Sequence, residues 1–378
     1  MQSVSRLCEG LAEVGARVEV VAPDTGGRNG RLDVPIGVPC DVDGIRVTYL
    51  KTYGPWRFYC APELVRMLFK RGREFDLIHV SAFFSFFHIG PLLTPGISGT
   101  PIVLSPRGSL MPNALERGKF KKAAYSALIE RPLLRKYTAV HCASDQERIA
   151  VERHMPGVPA FVVPNGLNVQ ELESLPGRGR LRRSLNIDDD SFVFVFLGRL
   201  HAHKGLDLTI KALSVARKSG ISIDLIVAGP EELSTDRPWR VLASQMGVEE
   251  NVHFIGPVYG KDKLQTLADA DAFVLNSHSE NFGMSIAEAL VCGLPVLISD
   301  QTGLSGWVSR NDAGLVVPQD VDSIAESMLQ MAHCREKFRE AALKCREVAR
   351  KTFDHLRVAQ KMLEQYEAII SKGRPVGD

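Results

Sequence analysis

Residues 192–205 read FVFVFLGRLHAHKG, an unbroken apolar run that stops at Gly198 and passes through two cationic side chains to Gly205. The run lacks polar alternation, which is typical of a parallel strand covered by helices on both faces. A helical pattern then begins at Leu206. This order of strand, glycine loop and helix predicts one unit of a parallel α/β sheet.

Similar apolar runs alternate with helical patterns along the rest of the chain, so the sequence predicts a doubly wound α/β fold. A chain of 378 residues with 45% apolar content can bury two cores of ordinary size. Residues 320–370 have a helical pattern throughout. The other predicted strands are residues 18–21, 77–80, 102–104, 139–141, 224–228, 252–255, 272–276 and 296–298.

The composition changes between Pro164 and Asp190, where an Asn165-Gly166 turn is followed by proline, glycine and a run of aspartates. Such a cluster of turn residues is typical of a linker. We therefore expect a first domain over residues 1–178 and a second over residues 179–353. Residues 354–378 are expected to form a helix that packs back on the first domain, followed by a polar tail.

The first domain begins with a helical stripe of Val4, Leu7, Leu11 and Val14 that leads directly into the strand predicted at residues 18–21. A doubly wound domain normally opens with a strand and a glycine-rich turn before its first helix. We therefore expect the first strand to be missing from this domain. Two explanations are open: the sequence starts at an internal methionine, or a true truncation has weakened or abolished its activity.

The bulk composition argues against several classes of protein. Seven scattered cysteines, without metal-ligand spacing, indicate a reduced, intracellular protein with no structural zinc. Residues 81–97, the most apolar run, are interrupted by His88, Pro91 and Pro95 and are too short to cross a bilayer. Charges within the first residues argue against a signal peptide, and a net charge of +2 argues against a nucleic-acid binder. We expect a cytoplasmic location.

The loop after the strand at residues 192–197 carries Arg199 and Lys204 next to a predicted helix N-terminus. Two cations at such a position suit a diphosphate, since the helix dipole and the charges act in the same direction. A solvated basic loop is the alternative. Gly229, after the strand at residues 224–228, could line a nucleotide base or simply end the strand.

A second loop, residues 277–284, follows another predicted strand and contains Glu280, Asn281 and Gly283. Gly283 permits a close backbone approach, so amides of residues 281–285 could bind a phosphate or sugar oxygen. Glu280 and Glu288 could accept hydrogen bonds from sugar and ribose hydroxyls. The alternatives are an exposed loop acid for Glu280 and a helix capping box, Ser285-x-x-Glu288, for Glu288.

Taken in order, these segments resemble the family 4 glycosyltransferases. The resemblance rests on Gly198-Arg199 with Lys204-Gly205, on Ala228-Gly229, on Phe254-Ile255-Gly256, and on Glu280 and Glu288 separated by seven residues. It implies the GT-B fold, with two Rossmann-like domains facing a central cleft. It also implies retention of anomeric configuration at a nucleotide-diphosphate sugar donor, with no cofactor and no metal, because Arg199 and Lys204 neutralise the leaving diphosphate.

The resemblance further implies roles for the second loop. Glu288 would bind the ribose hydroxyls and Glu280 the transferred, hexose-type sugar. Amides around Phe282, Gly283 and Met284 would meet the diphosphate and the sugar.

In the first domain, Pro106-Arg107-Gly108 resembles a motif of family members that build surface polysaccharides. Many relatives place a histidine there, facing the reacting sugar. Arg107 is therefore predicted to be catalytic, acting on the leaving phosphate or on the acceptor. His79 is a second candidate, and an ordinary core histidine is its alternative.

Residues 117–137 form a basic amphipathic pattern, which predicts either peripheral contact with an anionic membrane or a solvated helix face. Membrane contact would bring the enzyme to a glycan or lipid-linked sugar acceptor at the inner face of the cell membrane. The cations of this segment are Lys119, Lys121, Lys122, Arg131, Arg135 and Lys136, and Phe120, Tyr125, Leu128 and Ile129 are its apolar side chains.

Three other functions compete with this interpretation. A glycoside hydrolase would place two carboxyls about 5–10 Å apart across one bond, and would have no use for Arg199 and Lys204. A dinucleotide-dependent oxidoreductase would need a Gly-x-Gly-x-x-Gly turn, which the sequence lacks. The third is a truncated, catalytically silent protein that binds a sugar nucleotide.

Overall fold

A computed structural model describes residues 2–26, 30–54, 58–81, 83–94, 99–116, 131–134, 136–231 and 239–372. The chain forms two compact units, one of Met1–Gly166 with His355–Asp378 and the other of Leu167–Asp354. The units therefore divide before the boundary expected near residue 178. The reason is that residues just after Gly166 pack on the second unit: the Leu167 amide donates to the Phe353 carbonyl at 2.7 Å.

In the first unit, the strands of the described segments form two sheets. In one, β1 pairs in parallel with β3, and β3 pairs antiparallel with β2. The other has the order β4-β5-β6-β7 and is parallel throughout. The strands are β1 (Glu19–Pro23), β2 (Pro39–Val42), β3 (Ile45–Leu50), β4 (Ile78–Val80), β5 (Ile102–Leu104), β6 (Ala139–Cys142) and β7 (Ala160–Val162).

Helices cover these strands, and the terminal helix belongs to this unit. Among the described residues, the chain enters the fold through a helix and reaches its first strand only at Glu19. The helices are α1 (Gln2–Glu13), α2 (Pro62–Arg71), α3 (Phe86–Leu93), α4 (Pro112–Glu116), α5 (Arg131–Leu134), α6 (Asp145–His154) and, at the other end of the chain, α15 (His355–Lys372).

Contact between the first and last helices completes one core of this unit. Leu7 and Leu11 of α1 pack with Val358, Ala359 and other apolar residues of α15. Gly10 allows this approach, because a Cβ at that position would lie 2.9 Å from both the Ala359 Cβ and the His355 carbonyl oxygen.

The described residues of the second unit form one parallel sheet of six strands in the order β10-β9-β8-β11-β12-β13. Four of them, β8, β9, β11 and β12, are buried along their whole length. The strands are β8 (Phe192–Leu197), β9 (Ile223–Ala228), β10 (Val252–Gly256), β11 (Ala272–Leu275), β12 (Val296–Ser299) and β13 (Gly314–Val317).

The order of these strands reverses between β8 and β11, which are neighbours in the sheet. Ligands of open α/β sheets bind at the carboxyl ends of the strands at such a reversal. The helices of this unit are α7 (Arg180–Ser184), α8 (Leu206–Arg217), α9 (Trp239–Gln245), α10 (Gly260–Ala268), α11 (Met284–Cys292), α12 (Ser305–Arg310), α13 (Val321–His333) and α14 (Arg335–Phe353).

Candidate functional site

The loops that follow β8 and β11 lie against each other. Gly205, at the start of α8, has a φ of +66°, and a Cβ there would lie 1.9 Å from the Asn276 carbonyl oxygen. Only glycine permits this approach at that backbone conformation. The His278 amide also donates to the His203 carbonyl at 2.8 Å. The two loops predicted to carry the chemistry therefore form one continuous surface.

Gly229 has a similar role on the other side of β8. Its φ is +153°, and a Cβ would lie 1.8 Å from the Gly198 carbonyl oxygen. The Leu200 amide donates to the Pro230 carbonyl at 3.0 Å. Gly229 thus lets the ends of β8 and β9 pack closely, whatever further contact it makes, whereas a Cβ at Gly198 would meet only the Phe196 ring at 3.9 Å.

Lys204 and Glu280 form an ion pair between the two loops, and both side chains are mostly buried, with 23% and 18% of their surfaces exposed. The Glu280 backbone is fixed on both sides, because its amide donates to Gln301 at 3.1 Å and its carbonyl accepts from Gly303 at 2.8 Å. The structure therefore brings together one predicted cation and one predicted acid from separate loops. Arg199 is exposed and makes none of the ion pairs seen in the described part of this unit.

The N-terminus of α11 lies beside Glu280. Gly283 is the residue before the helix, with a φ of +91°, and a Cβ at that position would lie 3.4 Å from the Glu280 Cγ. The first amides of a helix have no partner within it, and they attract anions. The Phe282 side chain is buried and packs edge-on against the Phe353 ring, so only the backbone of Phe282 is available to a ligand.

Glu288 is held by a residue that the sequence reasoning missed. Lys263 of α10 reaches its carboxylate at 2.8 Å, and the two side chains are 27% and 18% exposed. The capping-box alternative is wrong, because α11 begins after Gly283 and has no side-chain cap. Ser285 therefore lies inside the helix. No spacing rule pointed to Lys263, since it lies on a different helix.

Gln319 is a second residue that the sequence did not indicate. Its Nε2 donates to the Ser277 carbonyl at 2.6 Å, and its Oε1 lies 3.2 Å from the His278 Nδ1. The Ser299 hydroxyl also donates to the Ser277 carbonyl, at 2.6 Å. These bonds fix the loop on which Glu280 and Asn281 are carried.

In the first unit, Arg107 follows β5 with a left-handed φ of +53°. Its Nη1 donates to the Asn165 Oδ1 at 2.7 Å, while the Nε and Nη2 atoms are shielded from solvent and have no partner among the described residues. Burial lowers the pKa of this guanidinium. The loop is held by Glu147, which accepts from the Gly108 amide at 2.5 Å and from the Ala143 amide at 2.8 Å.

His79 is partly buried, and both of its ring nitrogens have partners. Its Nε2 lies 2.7 Å from the Ser105 hydroxyl, and its Nδ1 bonds to the Tyr366 hydroxyl. Ser105 bonds in turn to the His141 Nδ1 at 2.6 Å, and the His141 Nε2 lies 2.8 Å from the Val163 carbonyl. Burial lowers the pKa of His79 to about 3. Both ring nitrogens of His79 are occupied, so the structure supports the core alternative for it.

The basic segment at residues 117–137 falls mostly outside the described residues. Within the part of the chain that is described, no helix has the length and hydropathy needed to cross a membrane. That same part contains no group of three or more histidine, cysteine, aspartate or glutamate side chains that could hold a metal ion.

Two protein-family models match the chain, one in each half. Residues 2–166 match the model described as a glycosyl transferase 4-like domain, and residues 177–352 match the glycosyl transferases group 1 model. The D-inositol 3-phosphate glycosyltransferase of Actinosynnema mirum is 34% identical over 165 residues, or 42% of this chain and 39% of that protein. This chain spans about half or less of the length of the first such relatives that it matches.

One relative aligns with most of this chain. It is the GDP-mannose:cellobiosyl-diphosphopolyprenol alpha-mannosyltransferase of Komagataeibacter xylinus, 25% identical over 96% of this chain and 87% of its own length. The crystal structure of Anabaena Alr3699/HepE in complex with UDP and glucose superposes with a TM-score of 0.71 at 20% identity, over 93% of this chain and 99% of that one. The chain therefore belongs to the family 4 glycosyltransferases and has the GT-B fold.

Proposed function

We propose that this glycosyltransferase moves a hexose-type sugar, with retention of anomeric configuration and without a metal, from a nucleotide-diphosphate donor to a glycan or lipid-linked acceptor in polysaccharide biosynthesis. The observation that carries the proposal is the ion pair of Lys204 and Glu280 beside the N-terminus of α11, at the point where the strand order reverses. A cation, an acid and free helix amides at one place match a ligand that has both phosphate and hydroxyl groups.

Each group has a role in the proposed reaction. As the bond between the sugar and the diphosphate breaks, negative charge grows on the leaving diphosphate. Lys204, Arg199 and the amides of residues 282–284 stabilise that charge, which is the usual task of fixed cations and helix N-termini in such sites. When the donor binds, Lys204 exchanges the carboxylate of Glu280 for phosphate oxygens. Glu280 is then free to accept hydrogen bonds from the sugar hydroxyls.

Glu288 is proposed to accept hydrogen bonds from the ribose hydroxyls. It lies one turn into α11, so its carboxylate and that of Glu280 can face opposite ends of one donor. Lys263 holds this carboxylate in the absence of ligand. Retention and metal independence rest on the family resemblance rather than on a contact in the site.

Donor binding can be tested before turnover. UDP-, GDP- and ADP-sugars would be screened by thermal shift. The sugar nucleotide that stabilises the protein would then be titrated into four proteins: the unmodified protein, Glu280→Ala, Glu288→Ala and a surface control, Tyr259→Phe. Both glutamate variants should bind the donor more weakly with an unchanged fold. Equal affinity in all four proteins would contradict the proposed site. Binding without transfer to any acceptor would identify a silent sugar-nucleotide-binding protein instead.

Retention and metal independence need a separate measurement. Proton NMR of the product during the first turnovers should show the anomeric configuration of the donor, and the rate should be unchanged by EDTA. An inverted product, or a rate abolished by EDTA and restored by Mg²⁺, would refute that part of the proposal.

The acceptor is proposed to carry phosphate. The relatives described above are named for D-inositol 3-phosphate and for a diphosphopolyprenol-linked glycan, and both compounds contain phosphate groups. A lipid-linked acceptor would place the enzyme at the cytoplasmic face of the membrane, held there by the basic segment at residues 117–137. Co-sedimentation with anionic vesicles at low salt should be lost when Lys119, Lys121 and Lys122 are replaced by glutamine. Failure of the unmodified protein to sediment would exclude this attachment.

A further inference from the structure

The Arg107 side chain is an unusual feature of the first unit, because a buried guanidinium there lacks the partners that such groups normally have. Among the described residues, Nη1 alone of its three nitrogens has a hydrogen-bond acceptor, the Asn165 Oδ1 at 2.7 Å. The Nε and Nη2 atoms are buried without any acceptor in the described residues. Arginine remains protonated in proteins, so these donors belong to a cation.

Nε and Nη2 lie on the same edge of the guanidinium. This edge presents two parallel N–H groups, the arrangement that binds two oxygens of a phosphate or carboxylate at once. A buried cation with two unsatisfied donors is costly unless an anion or ordered water completes it. The guanidinium therefore has the geometry of an anion site in which Nη1 is bonded to Asn165 and the Nε and Nη2 edge has no acceptor among the described residues.

The neighbouring side chains of the described residues do not accept hydrogen bonds from Nε or Nη2. The nearby carboxylate, Glu147, bonds instead to the backbone amides of Gly108 and Ala143. His79 and His141 are bonded to their own partners in the hydrogen-bond chain that runs to Tyr366. None of the described residues therefore binds the Nε and Nη2 edge.

The backbone of Arg107 is held in a conformation that favours this role. A non-glycine residue at a φ of +53° is strained by about 1 kcal/mol or more, and such strain persists where the surroundings enforce it, often at functional sites. The Glu147 carboxylate accepts hydrogen bonds from the amides of Gly108, the residue after Arg107, and of Ala143, just before α6. They anchor the turn that carries Arg107, just beyond the carboxyl end of β5.

We propose that the Nε and Nη2 edge of Arg107 is a phosphate-binding site of the first unit, which takes the phosphate of a phosphorylated acceptor. Its use by an acceptor rests on the proposed function, whereas phosphate binding itself does not. Arg107 would then hold the acceptor through a group distant from the reacting hydroxyl. The shared chemistry is a phosphate oxygen pair, supplied either by a sugar phosphate or by the diphosphate of a lipid-linked sugar.

The test measures binding without turnover. Inorganic phosphate, methyl phosphate and a short dialkyl diphosphate would be titrated by calorimetry into the unmodified protein, Arg107→Gln, Arg107→Lys and Arg17→Gln. Arg17 is the matched control, since it is an arginine of the same unit with 87% of its side chain exposed. A preference for methyl phosphate would indicate a sugar-phosphate acceptor, and a preference for the diester would indicate a lipid-linked one.

We expect the Arg107→Gln protein to bind phosphate at least about tenfold more weakly, because losing one charge-assisted hydrogen bond corresponds to a tenfold to hundredfold change in Kd. Arg107→Lys should also bind weakly, since lysine keeps the charge but loses the two-donor edge. Arg17→Gln should bind as the unmodified protein does. If Arg107→Gln fails to fold, Arg107→Lys and the Arg107 Nε–H resonance of the unmodified protein, followed during the phosphate titration, still decide the question.

A second comparison separates this site from the donor site. Lys204→Ala should keep phosphate binding, and saturating UDP should not displace the phosphate. If Lys204→Ala loses the phosphate and Arg107→Gln keeps it, the phosphate belongs to the donor site and the inference is overturned. An Nε–H resonance that does not respond to phosphate, as expected for an edge satisfied by internal water, would also overturn it. Neither result would affect the proposed transfer reaction.

Discussion

Tyr366→Phe is expected to destabilise the first unit by removing a single hydroxyl from a buried hydrogen-bond chain. The direction of that chain follows from its last acceptor. The Val163 carbonyl can only accept, so His141 donates from Nε2 and must accept at Nδ1. Ser105 therefore donates to His141, His79 donates from Nε2 to Ser105, and the His79 Nδ1 accepts from Tyr366.

The magnitude follows from this direction. In Tyr366→Phe the ring still fills its space, so no cavity forms, but the buried Nδ1 of His79 loses its donor. A buried acceptor left without a partner costs about 1–3 kcal/mol. His79 cannot relieve the loss by taking up a proton at neutral pH, since burial holds its pKa at about 3. In a unit of this size, the melting temperature should fall by about 2–12 °C.

The assay is urea unfolding followed by circular dichroism, with Tyr259→Phe as the control because Tyr259 is 73% exposed. The control should lie within about 0.5 kcal/mol of the unmodified protein. A double-mutant cycle of Tyr366→Phe with Ser105→Ala should show a coupling of about 0.5 kcal/mol or more, as expected for members of one network. A Tyr366→Phe protein as stable as the control, with no coupling to Ser105, would refute the directional chain.

Three further outcomes are expected. Unfolding free energy should fall as the pH drops from 6.5 towards 3, because the unfolded chain binds protons there that His79, His88 and His141 do not bind in the fold, where burial lowers their pKa values. At pH 5.5, His79 and His88 should each cost about 1.4 kcal/mol; acid titration of stability checks this, and a flat profile would contradict it. Gly205→Ala should destabilise the second unit by about 3 kcal/mol or more, given the Cβ position 1.9 Å from the Asn276 oxygen, whereas Gly247→Ala, which has open space, should cost about 1 kcal/mol on urea unfolding. Lys263→Ala should raise the donor KM, because Glu288 loses the lysine that orients it towards the ribose. The kcat should stay within about twofold, since the ribose takes no part in the chemistry; a fall in kcat alone would argue against ribose binding by Glu288.

The sequence predicted the strands best where both faces of the sheet are covered. Residues 192–197 and 102–104 were found with the right bounds, because an unbroken apolar run has only one reading in a parallel sheet. β2 and β3, which Asp43-Gly44 joins, were both missed: β2 is mostly exposed, and Arg46 and Thr48 interrupt the apolar pattern of β3. β7 and β13 were missed because they are short and only partly buried.

The site was predicted in part, and the limit has a physical cause. Lys204 and Glu280 could be paired in advance, because both follow strands whose carboxyl ends share an edge of the sheet. The contacts of Lys263 and Gln319 could not be predicted from the sequence. Each residue comes from a segment whose distance to the site depends on helix packing rather than on strand order. The unpaired Nε and Nη2 atoms of Arg107 could not be predicted either, because the lack of a hydrogen-bond partner produces no pattern in the sequence.

The paired state of the two glutamates explains how a site built from charges can be both stable and open to a ligand. Each of the four side chains keeps 18–27% of its surface exposed, so water can reach either charge when the pair separates, which lowers the cost of breaking it. Replacing the Glu280 carboxylate by a diphosphate gives Lys204 an acceptor with more charge, and the α11 N-terminus adds a second favourable field. The lysines therefore keep the acids oriented without ligand at little cost to donor affinity. In a completely buried pair, by contrast, the loss of one partner costs about 3–5 kcal/mol, because the other charge is left unpaired in an apolar interior. A donor that displaced the lysines would have to offset that cost.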